Sequence, residues 1–362
     1  MSLDNKIIEN VLLGKGFNSS LLNDKTISEY EEKVVLVTGA AGSIGSELAK
    51  QLLQLPCRKL IFLDQAESNL YELQESLKRN NTAIIDFILG DIRDNLCLDN
   101  IFKVYKPHFI FHAAAYKHVP LLEKHPYEAV KTNVIGTKFI ADKAVEFNAQ
   151  KFVMISSDKA VNPTNVMGAT KRIAELYVTH LNRKSPTKFI VTRFGNVLGS
   201  NGSVIPLFKR QIEEGGPLTV THPEITRYFM TIPEACQLVL EAGAMGIGGE
   251  VFVFDMGESV KIMDLAKKII SLSGLNYPND IDIQIVGLRP GEKIFEELLA
   301  DGETTIKTHH KKIMIAKAKQ ASDDFEQKLT ELISVENSFA WPESNNRLVK
   351  LIKEIVPEYL PF

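Results

Sequence analysis

Short apolar runs alternate with helical stretches through the first half of the chain, and this alternation limits the possible folds more than any other feature. The runs cover residues 34–37, 59–64, 84–89, 109–112, 151–155 and 189–193. Their continuous apolar character is typical of parallel strands that are covered by helices on both faces. Because crossovers between parallel strands are right-handed, the pattern predicts an α/β fold with a doubly wound parallel sheet of the Rossmann type.

A glycine-rich turn follows the first predicted strand. Gly39, Gly42 and Gly45 recur every three residues between that strand and a predicted helix. In this setting the first glycine permits a tight turn, the second lets the backbone approach a pyrophosphate, and the third lets the helix pack closely on the sheet. The start of the helix would face the phosphates with unpaired N–H groups. We therefore predict a dinucleotide site that includes Ser43 and Ile44.

An acidic residue ends the second predicted strand. Asp64 follows Gly45 by 19 residues, where a carboxylate can bind the ribose hydroxyls of the cofactor. No arginine occurs in the three residues after Asp64 to receive a 2′-phosphate, which favours NAD over NADP. Arg58 and Lys59 stand at the start of that strand, so NADP stays open as the alternative.

Residues after the third and fourth predicted strands complete the predicted cofactor site. Asp91 and Ile92 are placed to touch adenine, and Ala113 and Ala115 offer little bulk beside the cofactor. In doubly wound sheets, ligands bind outside the carboxyl ends of the strands, where these residues stand.

The same pattern predicts the domain organisation. Residues 34–195 are predicted as the dinucleotide-binding domain, after an extension at 1–33 that packs alongside the first strand. Beyond residue 196, Gly and Pro become frequent, so 196–362 is predicted mostly as a smaller substrate-binding lobe with C-terminal helices. The sequence leaves open whether parts of 230–260 join the main sheet.

Polar residues follow the fifth predicted strand, and a helix comes next. The arrangement resembles that of short-chain dehydrogenases/reductases, which place Ser or Thr after this strand and Tyr-x-x-x-Lys on one face of the helix. The chain has Ser157 and Lys171, but Met167 stands where the tyrosine belongs, and a thioether has no proton to exchange. Two interpretations follow: a protein that only binds NAD, or an enzyme in which other groups act as the base.

Five segments resemble the nucleotide-sugar 4,6-dehydratases of bacterial glycan and capsule synthesis, which are extended short-chain dehydrogenases/reductases. The segments are TGAAGSIG at 38–45, AAAYKHVPLLE at 113–123, SDKAVNPTNVMGATKR at 157–172, FGNVLGS at 194–200 and GLRPGEK at 287–293. The resemblance runs from about residue 12 to residue 359. In the large UDP-N-acetylglucosamine 4,6-dehydratases, methionine is usual at the position of Met167. Ser157, commonly threonine, and Ala41, commonly glycine, depart from the family pattern.

The resemblance implies the chemistry. Hydride leaves C4 of the sugar for NAD, water is lost across C5 and C6, and the hydride returns to C6. Lys159 would be the C5 base and Asp158 the C6 acid, while Ser157, with an ordered water, would relay the C4 hydroxyl proton and Lys171 would hold the nicotinamide ribose. We expect repulsion from Lys171 and the nicotinamide to lower the pKa of Lys159, and burial and the diphosphate to raise the pKa of Asp158.

The resemblance also implies a UDP-sugar substrate and a homo-oligomer. The family positions that hold the nucleotide and its phosphates correspond to Asn196, Arg227, Arg289 and Glu292. Arginine suits phosphate because its planar fork can bond two oxygens. Lys117 and His118 follow the fourth strand and are expected to border the sugar.

Composition excludes several other classes of function. The formal net charge of −3 gives no electrostatic case for a nucleic-acid or membrane surface. Cys57, Cys97 and Cys236 are far apart, so we expect neither a disulfide framework nor a metal site. The lysine- and histidine-rich stretch at 307–312 carries no carboxylate, and we interpret it as a solvated segment.

No apolar run approaches the ~20 residues of a membrane span, and residues 1–13 lack the features of a signal peptide. We therefore expect a cytoplasmic protein without membrane contact of its own. Large members of the family often carry amino-terminal membrane helices, so attachment to a membrane is expected if this chain is a shortened form.

Two rival functions stay open. A nucleotide-sugar C4 epimerase or 4-keto reductase would use the same scaffold, but these enzymes keep the tyrosine that Met167 replaces. A non-catalytic NAD-binding protein would have no use for Lys159. Methionine-type dehydratases are associated with retention at C5, which predicts the D-xylo 4-keto-6-deoxy product.

Overall fold

The backbone is organised around one large, mostly parallel sheet. A computed structural model describes residues 22–78, 85–299, 304–317, 320–335 and 344–361. The strands are β1 (Val34–Thr38), β2 (Lys59–Asp64), β3 (Ile85–Leu89), β4 (Phe109–His112), β5 (Lys151–Ile155), β6 (Lys188–Arg193), β7 (Asn196–Val197), β8 (Leu218–Val220), β9 (Thr226–Arg227), β10 (Phe229–Met230), β11 (Val251–Phe254), β12 (Val260–Lys261), β13 (Ile283–Ile285), β14 (Thr305–Lys307) and β15 (Ile313–Ala316).

Helices cover both faces of this sheet. They are α1 (Asp24–Glu29), α2 (Ser43–Leu52), α3 (Glu67–Leu77), α4 (Asn95–Tyr105), α5 (Val119–Lys124), α6 (Pro126–Ala129), α7 (Thr137–Glu146), α8 (Val166–Asn182), α9 (Val204–Glu213), α10 (Ile232–Met245), α11 (Ile262–Leu272), α12 (Phe325–Ser334) and α13 (Ser344–Ile355). A π-helical turn covers Val130–Gly136, and a 3₁₀ turn covers Asp158–Ala160.

Within the described residues, nine strands form the main sheet in the order β14-β15-β11-β6-β5-β4-β1-β2-β3. β1 pairs in parallel with both β2 and β4, so the strand order reverses between β1 and β4. The carboxyl ends of these two strands flank the crevice in which doubly wound sheets bind their ligands. The predicted doubly wound parallel sheet is therefore confirmed.

The predicted strands lie close to their expected positions. The last of the six begins one residue early, at Lys188, and residue 84 lies outside the described residues. The helix expected after the glycine-rich turn begins at Ser43 as predicted. The central residues of β1 are fully buried, which is why that strand is apolar at consecutive positions.

The second half of the chain returns to this sheet. β11 pairs in parallel with β6, so residues within 230–260 do join the main sheet. β15 and β14 then add an antiparallel edge. Helix α10 packs against α2, and α13 packs against α8. Residues beyond 196 therefore support the central sheet as well as the region above it.

A smaller core lies outside the main sheet. β8 and β13 pair in parallel, and α9 and α11 pack around them. The fully buried residues of this core include Phe208, Leu218, Leu265 and Ile269. The short pairs β7 with β10 and β9 with β12 connect this unit to the end of β6. These connections carry Asn196 and Arg227.

The described part of the N-terminal extension packs on α10. Thr26 Oγ1 donates to Glu241 Oε2 at 2.6 Å, and the Tyr30 hydroxyl donates to the Leu240 carbonyl oxygen at 2.7 Å. The Tyr30 ring lies edge-on to Phe109 of β4, with ring centroids 5.4 Å apart. This described part of the extension thus packs against one face of the sheet beside α10.

Candidate active site

The glycine-rich turn lies where the strand order reverses. Gly39 has a φ of +65°, and a Cβ there would lie 2.6 Å from the Cα of Ala114, just after β4. A Cβ at Gly45 would lie 2.1 Å from the carbonyl oxygen of Gly39, so only glycine lets α2 pack this closely. Gly42 is the N-cap of α2 and provides no capping side chain. The N–H groups of the first helical turn, at Ser43 and Ile44, are therefore placed to meet an anion.

Asp64 braces this turn. Its Oδ2 accepts a hydrogen bond from the backbone N of Ala41 at 2.8 Å, and its Oδ1 accepts one from Ala66 N at 2.9 Å. Each carboxylate oxygen keeps a second lone pair. Asp64 can therefore hold the turn and accept a ribose hydroxyl at the same time.

Sequence reasoning missed Arg93, which lies beside Asp91, a residue predicted to touch adenine. Arg93 Nε donates to Asp91 Oδ2 at 2.8 Å, and the guanidinium also reaches Glu128 at 3.2 Å and Gln65 at 3.4 Å. Burial opposes ionisation of Asp91, but the hydrogen bonds from Arg93 outweigh it, and the pKa of Asp91 is lowered. Ile92, also predicted to touch adenine, is buried in the hydrophobic core.

Asn133, another residue that sequence reasoning missed, connects the segment after β4 to helix α8. Asn133 Oδ1 accepts from Tyr116 N at 2.9 Å, and its Nδ2 donates to the Tyr116 carbonyl and to Thr170 Oγ1, both at 3.1 Å. Asn133 lies in the π-helical turn, a feature that is frequent at functional sites. Ala113 and Ala115 lie half-buried on the segment that these bonds hold.

A tight turn after β5 carries the predicted reactive residues. The Asp158 N–H donates to the carbonyl oxygen of Phe194 at 3.1 Å, which anchors the turn to the end of β6. Ser157 Oγ accepts from Lys159 N at 3.2 Å and caps the 3₁₀ turn. A Cβ at Gly168 would lie 2.0 Å from the Lys159 carbonyl oxygen, so glycine lets α8 pack against this turn.

The Asp158 side chain is completely buried. Its Oδ1 accepts from Ser157 Oγ at 2.8 Å and from Lys159 Nζ at 3.1 Å. Its Oδ2 is buried without a hydrogen-bond partner among the described residues. Burial raises the pKa of Asp158; the charge of Glu296 adds to the increase, and that of Lys159 opposes it. The expected rise in this pKa through burial is therefore present, and a protonated Asp158 is placed to act as an acid.

Lys159 lies between two carboxylates, one of which sequence reasoning missed. Its Nζ is 3.1 Å from Asp158 Oδ1 and 3.3 Å from Glu296 Oε1. Burial favours the neutral amine, but the charges of Asp158 and then Glu296 outweigh it, and the pKa of Lys159 is raised. The expectation that Lys171 lowers this pKa is wrong here, because two carboxylates lie close to the ammonium. The only sequence cue to Glu296 was its place just after the GLRPGEK motif.

Helix α8 buries both residues of the expected Tyr-x-x-x-Lys pair. Lys171 Nζ donates to the carbonyl oxygen of Ile155 at 2.6 Å. Burial lowers the pKa of Lys171 to about 8, against an opposing effect of Glu175. Met167, one turn earlier, packs in the core with 3% of its surface exposed. Met167 therefore packs as an apolar core residue, and its thioether has no proton to relay.

A buried ion-pair cluster supports this helix from behind. Glu175 accepts from Arg193 Nε at 2.8 Å, from Arg172 Nη1 at 3.1 Å and from Ser156 Oγ at 2.6 Å. Because Ser156 directly precedes Ser157, the cluster connects β5, β6 and α8 just below the reactive turn.

The predicted phosphate-binding residues come together beside this turn. Arg227 Nη2 lies 3.4 Å from Glu292 Oε1, and Arg289 Nη2 lies 3.1 Å from the same oxygen. Asn196 Oδ1 lies 3.5 Å from Lys159 Nζ. Arg227 also donates to two backbone carbonyls, those of Thr226 and Ile294, which hold the guanidinium in place. The structure thus groups four residues from three distant segments of the chain.

Lys117 and His118 border the same region. Neighbouring protein displaces water from the ammonium group of Lys117 and lowers its pKa, and the positive charge of Lys159 lowers this pKa further. The residue as a whole is nevertheless exposed. A Cβ at Gly202 would lie 2.3 Å from Cε1 of His118, so the histidine ring packs against the loop before α9. Both residues are exposed, and Lys117 lies close enough to Lys159 to feel its charge.

The described ranges contain neither a candidate metal site nor a candidate membrane span. No group of three or more His, Cys, Asp and Glu side chains there could hold a metal ion. None of the helices in those ranges is long and apolar enough to cross a bilayer.

Comparison with known proteins identifies the family. Residues 35–318 match the family described as polysaccharide biosynthesis protein. The capsular polysaccharide biosynthesis protein CapD of Staphylococcus aureus is 54% identical over 278 residues, which cover 76% of this chain and 46% of CapD. The chain therefore spans about half the length of that relative.

Relatives with more specific names share less identity. A protein of Campylobacter jejuni named UDP-N-acetylglucosamine 4,6-dehydratase (inverting) is 34% identical over 280 residues, which cover 76% of this chain and 80% of that protein. A protein of Rickettsia rickettsii named UDP-glucose 4-epimerase is also 34% identical, over 282 residues, with coverage of 76% and 80%.

Among solved structures, Pen from Bacillus thuringiensis superposes with a TM-score of 0.73 and 35% identity, covering 79% of this chain and 86% of Pen. The fold thus has a counterpart in a solved protein of related sequence. The extent of the family match and this shared fold lead to one conclusion: the chain belongs to the polysaccharide biosynthesis protein family and has the fold of an extended short-chain dehydrogenase/reductase.

Proposed function

We propose that the chain is an NAD-dependent UDP-N-acetylglucosamine 4,6-dehydratase that retains configuration at C5. The observation that carries the proposal is the ion pair between buried Asp158 and half-buried Lys159 at the carboxyl end of β5, in a site where Met167 replaces tyrosine. Dehydration needs an acid for the C6 hydroxyl and a base for the C5 hydrogen. The product would be a UDP-2-acetamido-2,6-dideoxy-4-keto-hexose for a bacterial surface glycan.

The residues that line the crevice between β1 and β4 fit a dinucleotide. The N–H groups at the start of α2 would hold the pyrophosphate, Asp64 the adenosine ribose and Lys171 the nicotinamide ribose. Side chains at Gly39 and Gly45 would collide with backbone, so the turn keeps the open shape that a pyrophosphate requires. NAD would supply the acceptor that takes hydride from C4 and returns it to C6.

Two features favour NAD over NADP. Lys59 pairs with Asp86 at 2.9 Å and lies at the opposite end of β2 from Asp64, about 17 Å away for five strand residues. Arg93 lies closer to the predicted ribose position, but Asp91 and Glu128 neutralise it. A 2′-phosphate would therefore meet no uncommitted cation at Lys59 or Arg93.

The reactive turn can provide the acid and the base. Asp158 would give its proton to the C6 hydroxyl, which leaves as water. Lys159, as the neutral amine, would take the C5 proton, and the electron pair of the broken C–H bond would form the C5–C6 double bond. Ser157, which already donates to Asp158, would relay the C4 hydroxyl proton that Met167 cannot take. The cycle then involves no net oxidation.

The arginine pair would hold the diphosphate. Arg227 and Arg289 both contact Glu292. A diphosphate with two negative charges would replace this carboxylate at the guanidinium groups, leaving Glu292 to contact a ribose hydroxyl. Asn196, Lys117 and His118 would contact the substrate at the sugar side of the site.

A C4 epimerase is the second candidate, because a relative with that name is 34% identical over most of this chain. An epimerase needs a group that removes and returns the C4 hydroxyl proton. Met167 cannot do so, and an epimerase does not need an acid and a base for loss of water. These two points favour the dehydratase.

The decisive experiment uses UDP-N-acetylglucosamine that carries deuterium at C4. With NAD and no added reductant, the dehydratase should give a 4-keto product lighter by one water, with the deuterium at C6 by NMR. A C4 epimer with unchanged mass would support the epimerase instead, and binding of NAD without any product would support the non-catalytic alternative.

Substitution of Lys159 tests whether this residue is the C5 base. Lys159→Ala should abolish dehydration and leave NAD binding intact, because the variant keeps Asp64, Lys171 and the glycine-rich turn. Lys311→Ala, which removes an exposed lysine, is the matched control and should turn over normally. Full activity in Lys159→Ala would contradict the proposed base.

A further inference from the structure

Glu296 connects the proposed base to the proposed diphosphate site. Its Oε1 lies 3.3 Å from Lys159 Nζ and 3.4 Å from Arg227 Nε. Lys159 in turn pairs with Asp158, and Arg227 with Glu292. The five side chains form a line of alternating charge that leads from the reactive turn to the phosphate-binding arginines.

The central members of this line are poorly hydrated. Only 4% of the Glu296 side chain and 20% of the Lys159 side chain are exposed, and Asp158 is fully buried. Charges that are withdrawn from water interact more strongly than surface pairs do. Removal of one partner should therefore change the proton affinity of its neighbour substantially.

Lys159 must lose a proton before it can act as a base. The charged groups that face it are Asp158 from its own turn, Glu296 and Arg227 from the second half of the chain, and Lys117 from the segment after β4. Both carboxylates stabilise the ammonium, and the two cations oppose it. Asp158 is the proposed acid and must hold its own proton for the C6 hydroxyl. Glu296 is therefore the other carboxylate in contact with Lys159 that could accept the lysine proton.

We propose that Glu296 accepts the proton of Lys159 when a diphosphate takes Arg227, and so makes the base ready only in the substrate complex. This inference rests on the proposed function. The N–H bond of the ammonium breaks, an O–H bond forms on Glu296, and the pair becomes a neutral amine and a neutral carboxylic acid. No oxidant or further reactant is required.

The electrostatic reason is that Lys159 and Arg227 share one carboxylate oxygen, Oε1 of Glu296. Burial raises the proton affinity of Glu296, but Lys159 and Arg227 outweigh it, and the pKa of Glu296 is lowered in this structure. A diphosphate at Arg227 would neutralise that cation and add negative charge nearby. Glu296 would then hold a proton more readily, while Lys159 lies within reach to supply it. Glu296 is in this sense a positioning residue that acts through Lys159.

Glu296→Gln tests the inference, because an amide keeps the shape but cannot accept the proton. At pH 7 we expect kcat to fall about 100-fold, and to recover about tenfold per pH unit as Lys159 loses its proton to water instead. The wild-type kcat should change little over the same range. A purely structural role would lower kcat by the same factor at every pH, and that result would overturn the inference.

UDP binding gives a readout that does not depend on turnover. In Glu296→Gln the amide competes less well for Arg227, so calorimetry should show UDP binding about two- to fivefold more tightly than in wild type. Glu292→Gln should also change UDP affinity, because Glu292 contacts Arg227. It should keep the wild-type pH dependence of kcat, because Arg227 and Glu296 separate Glu292 from Lys159.

Two more variants complete the test. Glu297→Gln is the matched control: it is 45% exposed, pairs with Lys293 and should keep wild-type turnover and pH dependence. If Glu296→Gln does not fold by circular dichroism, Glu296→Asp takes its place, and its retained acid should give reduced kcat with a wild-type pH profile. A steep pH profile in Glu296→Asp would overturn the inference.

The two proposals fail in different ways. If the wild-type chain forms no 4-keto sugar, the proposed function fails, whatever the UDP affinities are. If the wild type turns over and Glu296→Gln shows a parallel pH profile with unchanged UDP affinity, only the role of Glu296 is wrong.

Discussion

The buried carboxylate of Glu175 should make a large, pH-dependent contribution to stability. Its oxygens accept hydrogen bonds from Arg172, Arg193 and Ser156. Glu175→Gln keeps the size of the side chain but removes the carboxylate that two buried guanidinium groups share; Arg172 keeps a second carboxylate, that of Glu358, at 3.1 Å. Breaking a buried ion pair in this way is far more costly than losing a surface pair.

The magnitude follows from the pKa. Burial opposes ionisation of Glu175, but Arg193, and after it Arg172 and Ser156, outweigh burial and lower the pKa to about 2 from an ordinary 4.5. At about 1.4 kcal/mol per pKa unit, this difference corresponds to about 3 kcal/mol of unfolding free energy. Because the folded pKa is the lower one, the contribution is complete above pH 4.5 and is lost as the pH falls towards 2.

Urea denaturation at pH 7 and pH 4 measures this effect. Glu175→Gln should lower the unfolding free energy by about 3 kcal/mol at pH 7, and by about 1 kcal/mol less than that at pH 4. Glu146→Gln, which removes a 55% exposed carboxylate paired with Lys143, should cost less than about 0.5 kcal/mol. The reasoning is refuted if Glu175→Gln stays within about 1 kcal/mol of wild type at pH 7.

Three further predictions concern the cofactor site and the helix beside it. Gly45→Ala would place a Cβ 2.1 Å from a backbone oxygen, so NAD affinity in a fluorescence titration should fall about tenfold or more; unchanged affinity would contradict the close-packing argument. Met167→Leu conserves volume, so urea denaturation should show a loss below about 1.5 kcal/mol, with dehydration retained; loss of turnover in a folded variant would assign chemistry to the thioether. Because burial lowers the pKa of Lys171 to about 8, wild-type NAD affinity should weaken above that pH, whereas Lys171→Met should bind weakly without this dependence.

Local pattern was enough to predict the central fold. The apolar runs that became β1, β2, β4, β5 and β6 are continuous because both faces of the sheet are covered there, and each can be recognised without knowledge of distant residues. The edge strand β3 is only partly buried and contains Asp86. The glycine-rich turn could be predicted for the same reason, since Gly39 and Gly45 meet backbone that lies close by. The association of chains into a homo-oligomer stays a prediction.

The electrostatics of the site could not be predicted in the same way. The sequence placed Lys159 beside Asp158 but gave no means of locating Glu296, which lies 137 residues further along the chain. The pKa of Lys159 was therefore expected to be lowered, whereas two nearby carboxylates raise it. Arg93 escaped notice because its partners Gln65 and Glu128 come from two other segments.

The sequence by itself determined the order of strands and helices along the chain, the glycine-rich turn and the identity of the groups available for chemistry. The tertiary structure decided which charged groups meet, and hence which of them holds a proton. The physical reason is range: backbone conformation and hydrophobic periodicity depend on near neighbours in sequence, whereas the proton affinity of a buried side chain depends on charges and solvent within a few ångströms in space.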